Sequence, residues 1–179
     1  MVNTKSIITN FNLAFAVPVW ALWFYIRHFL WVAGISLIPS LHRFLMVYFQ
    51  PDWPGFWLTL LEIMVMACRL LLLVLIFRIA ILGDPVIGSL SKQERKTRIH
   101  AFFRYRWLSL VFQFLLLLCA TMIFDIFPER ILSSFLPPSM QHLYLAILLG
   151  IKNPTIIAWV LTWMIGIPRQ MLLFDISEV

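Results

Sequence analysis

Ionisable side chains within apolar stretches are the residues of this chain whose types could support chemistry. Glu62 and Arg69 lie in one long apolar segment, and Arg27 and His28 interrupt another. An ionised side chain is costly in hydrocarbon, so such residues usually mark a proton path, a substrate site or a contact between helices. Histidine changes charge near neutral pH, so His28 or His42 could exchange a proton with Glu62. We therefore take Glu62, Arg69, Arg27 and His28 as candidate intramembrane charge sites.

The spacing of Glu62 and Arg69 predicts that they cannot neutralise each other within one helix. Seven residues place them nearly on one face, but about 10 Å apart along the axis. Glu62 then needs Arg69 of a neighbouring copy, or the adjacent His42 and Arg43, as its partner. The residues on other segments that could approach Arg69 are Asp125, Gln113, His28 and Arg27, the last repulsive unless Glu62 lies between. Such charges serve either as contacts between helices or subunits, or as a site that moves a proton or binds a cationic or zwitterionic substrate.

The sequence contains no motif that names a reaction. It lacks H-E-x-x-H, the nucleophile motif G-x-S-x-G, a glycine-rich phosphate loop and a cluster of carboxylates suited to Mg²⁺. Cys68 and Cys119 both lie in apolar segments, where they are expected to pack as small residues and not to form a disulfide or a metal site. We therefore predict no catalytic residue, no metal and no cofactor, and a protein that is not an enzyme.

Basic residues accumulate in one short stretch, 91–106, between two apolar segments. Against the single acid Glu94, its cations form an inner basic surface: Lys92, Arg95, Lys96, Arg98, Arg104 and Arg106. Basic loops of this kind stay on the cytoplasmic side of a membrane. Ser91 and Glu94 form a capping-box pattern, which predicts a helix from Lys92 onward into the next span. The expected contact is anionic lipid, or an acidic protein surface, and not nucleic acid.

Composition identifies the class of protein. Of the 179 residues, 62% are hydrophobic and 12% charged, whereas an ordinary soluble domain is about half apolar and a quarter charged. At about 20 apolar residues per crossing, the chain can hold four or five spans. We predict an all-α fold: a single-domain, polytopic integral membrane bundle of four transmembrane helices. An N-terminal interfacial helix and a short outer interfacial or re-entrant helix complete it.

Prolines, glycines and charges predict the boundaries of these spans. The predicted spans are about 23–48, 56–82, 107–127 and 154–174, with a cytoplasmic basic loop 84–106 and an outer loop 128–153. Gly83 is expected to be a left-handed cap, Pro128 to end the third span, and Asn153 with Pro154 to begin the fourth after an outer helix over 141–151. Both termini then lie in the cytoplasm of a cell-membrane protein.

The competing arrangement makes 11–26 a separate span, which gives five spans and an outside amino terminus. We favour four spans because a hairpin turning at Arg27 and His28 would have no Gly, Pro or Asn to close it. On the four-span arrangement, the segment 11–24, which Pro18 interrupts, lies along the inner interface and leads into the first span.

Three functions are compatible with this plan. Short loops, intramembrane charges and no catalytic set favour a non-enzymatic accessory or assembly subunit, bound to a protein partner or to copies of itself. The alternative is a proton- or ion-coupled transporter or channel that uses Glu62 and Arg69. The size and the four-span plan with both termini inside also resemble the membrane immunity proteins that block pore-forming bacteriocins. That resemblance is one of architecture, and it implies an inhibitor-type binding protein.

Overall fold

Helices make up nearly all of the protein. The computed structural model describes residues 4–49 and 53–175, and these residues contain no β-strand. The α-helices are α1 Thr4–Arg27, α2 Phe29–Phe49, α3 Gly55–Phe77, α4 Pro85–Ser89, α5 Lys92–Thr121, α6 Pro138–Lys152 and α7 Ala158–Leu173.

Three π-helical segments extend or join these helices. Arg78–Leu82 extends α3, Met122–Leu132 extends α5, and Asn153–Ile157 joins α6 to α7. The resulting continuous helices are Gly55–Leu82, Lys92–Leu132 and Pro138–Leu173. Together with Lys5–Arg27 and Phe29–Phe49, they are the five described helices that are long and apolar enough to cross a membrane. The predicted all-helical fold is confirmed, and several of its helices are long and apolar enough for a membrane protein.

The amino-terminal part differs from the predicted helix over 23–48. The chain breaks at His28 between α1 and α2, and α1 is long and apolar enough to span by itself. Pro18 was expected to interrupt this segment, but α1 continues through it. Pro18 leaves the carbonyl of Ala14 without its helical donor, and the Gln113 side chain donates to that oxygen at 2.9 Å. A neighbouring helix thus replaces the lost bond.

The carboxy-terminal part also differs from its predicted boundaries. Pro128 does not end a helix, and Asn153 and Pro154 do not begin one, because α6 runs through a π-helical turn into α7. Pro154 frees the carbonyl of Gly150, and the Ser40 hydroxyl donates to it. The predicted outer helix over 141–151 and the last predicted span are therefore one helix.

Local capping between α3 and α5 is partly as predicted. Gly83 has φ −83° and ψ −6°, so it is not a left-handed cap. Its N–H instead bonds the Arg78 carbonyl at 2.8 Å and closes the π-helical segment. Asp84 caps α4, and the capping box of Ser91 and Glu94 that begins α5 is confirmed.

The long α6–α7 helix organises the packing. Along α1, Leu13 lies beside Gln170, and further on Tyr25 donates to the carbonyl of Pro154 at 2.8 Å. Along α2, Ser40 reaches Gly150. The contacts made by α1 and then by α2 follow one another in a single direction along α6–α7. α1 and α2 therefore run in the same direction and do not form a hairpin.

The remaining long helices, α3 and α5, pack on the outside of the group formed by α1, α2 and α6–α7. α3 lies against α2 and α7, and α5 lies against α1 and α7. The main cluster of buried apolar side chains joins α2, α3 and α7 through residues such as Val32, Ile76 and Ala158. In the most apolar part of Gly55–Leu82 only 17% of the residues are buried, and in that of Lys92–Leu132 only 11%. The corresponding share is 28% to 33% in the other three candidate spanning helices. These two helices therefore turn most of their surface outward.

Candidate functional site: intramembrane charges

Glu62 forms an ion pair with Arg43 of the neighbouring helix α2. The Arg43 Nη2 atom lies 3.6 Å from Glu62 Oε2, and the two side chains are 39% and 54% exposed. The predicted partners of Glu62 were Arg69 of a neighbouring copy, or His42 and Arg43 of the same chain. Arg43 of the same chain is the partner found. Its separation is too long for a hydrogen bond, so no described residue donates one to this carboxylate.

Arg69 points from α3 towards the turn between α6 and α7. Its Nη2 donates to Asn153 Oδ1 at 3.4 Å, while its buried Nε has no hydrogen-bond partner among the described residues. The expected partners Asp125 and Gln113 are engaged elsewhere, with Lys152 and with Ala14 and Trp163. Sequence reasoning missed Asn153 because it assigned that residue to a helix start.

His42 is the most enclosed titratable side chain near this pair. It is 6% exposed, and neither ring nitrogen has a partner in the described part of the chain. Glu62, Arg43 and Arg69 are the charged groups that act on it. A void beside Arg69, lined also by Ser36, has a volume of about 10 Å³. That is space for about one water molecule, so this region holds no open passage for a larger solute.

A second charge cluster joins α6 to the π-helical end of α5. Lys152 is 6% exposed, and its ammonium donates to both Asp125 and Glu129. Lys152 was predicted to lie in the outer loop 128–153, and its contact with these acids was not predicted. The available signal was the four-residue spacing of the two acids, which puts them on one helical face.

Arg27 and His28 lie apart from both clusters. Arg27 is exposed at the end of α1, and the His28 ring packs on Phe24 at 4.5 Å between centroids. No contact within 4–49 and 53–175 joins them to Glu62 or Arg69. The four candidate residues therefore do not form one site.

The inner basic surface divides into cations used by the fold and cations left free. Arg95 donates to the carbonyls of Leu90 and Ile87, and Arg98 donates to that of Leu172 at the end of α7. These two arginines hold helix ends together. Lys92 and Lys96 are exposed and make no hydrogen bond or ion pair with any described residue.

A further ion pair fastens α4 to α7. Arg169 donates to Asp84 at 2.7 Å and covers the Trp20 ring at 4.8 Å. Burial by itself would raise the pKa of Asp84. The hydrogen bonds from Arg169 and from the backbone of Ile87 and Val86 oppose it, and the pKa falls below its ordinary value.

The interior polar groups are mostly used in contacts between helices. Gln113 accepts from the indole of Trp163 at 2.6 Å while it donates to Ala14, and Trp159 donates to the carbonyl of Pro18 at 3.0 Å. Within the described ranges, no three His, Cys, Asp or Glu side chains lie together as a metal site requires. No protein family, characterised protein or solved structure matches this chain.

Proposed function

We propose that this chain is a non-enzymatic accessory or assembly subunit of a larger membrane complex. The pair formed by Arg43 and Glu62 carries the proposal, because both side chains are partly exposed within helices apolar enough to span a membrane. Charged groups inside membranes almost always face protein or water. A polar surface of a partner protein would supply the hydrogen bonds that Glu62 lacks.

The distribution of buried surface supports the same function. α3, which carries Glu62, is among the helices that turn most of their surface outward. Polar side chains such as Gln113 form hydrogen bonds with neighbouring helices. Among the described residues they do not come together as a reactive centre would require. A protein with wide uncovered helical faces and no assembled reactive groups is suited to binding other membrane helices.

The proposed arrangement in the membrane has four crossings. Because α1 and α2 run the same way, they make one broken path across the bilayer, followed by passes of Gly55–Leu82, Lys92–Leu132 and Pro138–Leu173. The basic segment 91–106 then faces the cytoplasm, as do both ends of the chain. The 46 residues of 4–49 would extend about 69 Å as a helix, more than a hydrocarbon core of about 30 Å. Part of α1 therefore lies at the inner interface in this arrangement.

The test is the size of the assembly that mild detergent extracts from native membranes. We expect the wild-type chain to co-purify with another membrane protein, and Glu62→Gln to lose it. The double exchange Arg43→Glu/Glu62→Arg keeps an internal ion pair but reverses its polarity, so it too should lose the partner. Thr59→Val is the matched control, since the Thr59 hydroxyl bonds only the carbonyl of Gly55 on its own helix. If the wild-type chain is extracted from the membrane without any other protein, the proposal is refuted.

Proton-coupled transport is a second candidate, favoured by one observation. Among the described residues, the ring nitrogens of His42 and the Nε of Arg69 have no hydrogen-bond partner, and Arg69 reaches Asn153 at the start of the π-helical segment Asn153–Ile157. Transporters often bind ions where spanning helices are interrupted. The test is proton flux into liposomes containing the purified chain. Flux that Glu62→Gln abolishes would support transport, whereas absent or equal flux in both forms would exclude it.

A further inference from the structure

The first half of α5 carries a row of free cations on one side. Lys92, Lys96, His100 and Arg104 follow one another at four-residue spacing, and all four are exposed. Four residues rise about 6 Å and turn the helix by about 40° beyond a full turn, so the four side chains lie within about 120° of one another. We define these four residues as the cationic row.

The fold does not use the cationic row. Lys92, Lys96 and His100 form no hydrogen bond or ion pair within 4–49 and 53–175, and Arg104 only approaches the ring of Tyr105, at 5.4 Å. The one acid of the segment, Glu94, is tied to Ser91 in the capping box. Its bonds with Ser91 lower the pKa of Glu94, so the carboxylate stays ionised and fixed there. Within 4–49 and 53–175, the cations on this face therefore form no ion pair with an acidic side chain.

Aromatic side chains continue the same face towards the spanning part of the helix. Phe103 and Trp107 are 51% and 52% exposed. Phe103 falls about 20° around the helix from Lys92, within the sector of the cationic row, and Trp107 begins the half of the helix beyond Arg106. Cations followed by aromatic rings on one helical side are typical of a segment that meets lipid headgroups and then enters the acyl region.

The helix also changes direction at the junction of its two halves. Arg106 has φ −127° and ψ 19°, so α5 is kinked there, between its basic half and its apolar half. The opposite side of the basic half is fixed to the bundle, because Phe102 is fully buried against Phe174. The kink and this anchor hold the cationic row outward, at the end of a spanning helix.

We propose that the cationic row binds the headgroups of anionic phospholipids. Lys92, Lys96 and His100 line a shallow open groove of about 620 Å³ together with Gln93 and Ile99. Ammonium groups on successive turns can contact phosphodiesters, while Ile99 offers apolar surface to the glycerol backbone. Juxtamembrane basic segments are attracted to anionic leaflets by about 1 kcal/mol per Lys or Arg, which is about fivefold in affinity. This site does not require the partner protein proposed above.

The experiment compares the association of spin-labelled phosphatidylglycerol and phosphatidylcholine with the full chain in phosphatidylcholine bilayers. We expect wild type to prefer phosphatidylglycerol, and Lys92→Gln/Lys96→Gln to lower that preference by about fivefold or more. Lys92→Arg/Lys96→Arg should retain it. Arg78→Gln/Arg130→Gln removes two exposed cations elsewhere and serves as the matched control. Unchanged thermal unfolding will show that the variants fold.

Three results would overturn the proposal. The first is an equal association of both lipids with wild type. The second is an unchanged preference in Lys92→Gln/Lys96→Gln, or an equal loss of preference in the control, which would show that only total charge matters. The third is displacement of phosphatidylglycerol by soluble glycerol phosphate at equimolar concentration, which would identify a site for soluble phosphate and not for a bilayer lipid.

Discussion

Two prolines within long helices each free a backbone carbonyl, and a side chain from another helix bonds it in both cases. Gln113 donates to Ala14, four residues before Pro18, and Ser40 donates to Gly150, four residues before Pro154. The hydrocarbon core of a membrane contains no bulk water, so such a carbonyl depends on a partner held within the protein. These polar side chains are thus structural groups, which explains why buried polarity here does not by itself indicate a binding site.

Replacing Gln113 should destabilise the bundle. Gln113→Leu leaves both the Ala14 carbonyl and the Trp163 indole N–H buried without partners, and we expect a loss of about 1–3 kcal/mol in the free energy of unfolding. The measurement is reversible unfolding in mixed micelles. Gln93→Leu, at an exposed position of the same helix, is the control and should change stability little. Equal stability of Gln113→Leu and wild type would contradict this role.

Asp84 should make stability depend on acid pH. Its folded-state pKa lies below the ordinary 3.8 because Arg169 and two backbone N–H groups outweigh the effect of burial. The stabilisation by the ionised carboxylate is therefore complete above about pH 4, and is lost as the pH falls through the lowered folded-state pKa.

The measurement is the difference in melting temperature between wild type and Asp84→Asn over a range of pH. We expect a constant difference from pH 7 to about pH 5 and a difference that closes below about pH 4. In an Arg169→Gln background the difference at pH 7 should be smaller, because the principal partner is gone. A difference that persists under strongly acid conditions would show that the side chain acts through packing and not through its charge.

Charged residues show what could be predicted of the candidate site. Composition identified Glu62 and Arg69, and helical spacing correctly excluded a direct bond between them. The partners could not be ranked, since they depend on which helices pack together. Lys152 was missed because the predicted outer helix ended at 151 and a new helix was expected to begin at Asn153, so nothing placed the Lys152 side chain beside Asp125 and Glu129.

Helix boundaries were the least predictable part of the fold. Capping by Ser91 and Glu94 depends only on local sequence and was found correctly. Continuation through Pro154 is accompanied by a hydrogen bond from Ser40 of another helix, and neither this continuation nor the one through Pro128 was predicted.

The contact between α1 and α7 depends on a missing side chain at Gly166. A Cβ atom there would lie 2.7 Å from Val17 Cγ1 and 2.8 Å from Trp20 Cζ3. We expect Gly166→Ala to separate the helices and to lower the free energy of unfolding by about 1–3 kcal/mol. Gly34→Ala is the matched control, since nothing lies within 4 Å of its Cβ position. It should be neutral, or stabilising by up to about 1 kcal/mol through helix propensity. If both substitutions have the same effect, close packing at Gly166 is not the cause.

The direction of α1 and α2 decides how many times the chain crosses the membrane. Two spans joined at His28 would normally fold back as a hairpin, yet α1 contacts α7 and α2 contacts α6 in one continuous progression. We therefore expect Ser89 and Ser139 to lie on opposite sides and the amino terminus to lie on the side of Ser89. The measurement is labelling of single cysteines at Lys5, Ser89 and Ser139, in a chain carrying Cys68→Ala and Cys119→Ala, with a reagent that does not cross membranes.

Cysteine at Ser139 should react in intact cells, whereas cysteine at Lys5 or Ser89 should react only after the membrane is opened. Five crossings would place Lys5 outside, so labelling of Lys5→Cys in intact cells, with Ser89→Cys still protected, would identify that arrangement. The bond from Tyr25 to Pro154 opposes it. With α1 reversed, Tyr25 would lie near the inner end of α7, far from the middle of the α6–α7 helix. Tyr25→Phe should therefore weaken the four-crossing bundle and would leave a five-crossing one unaffected.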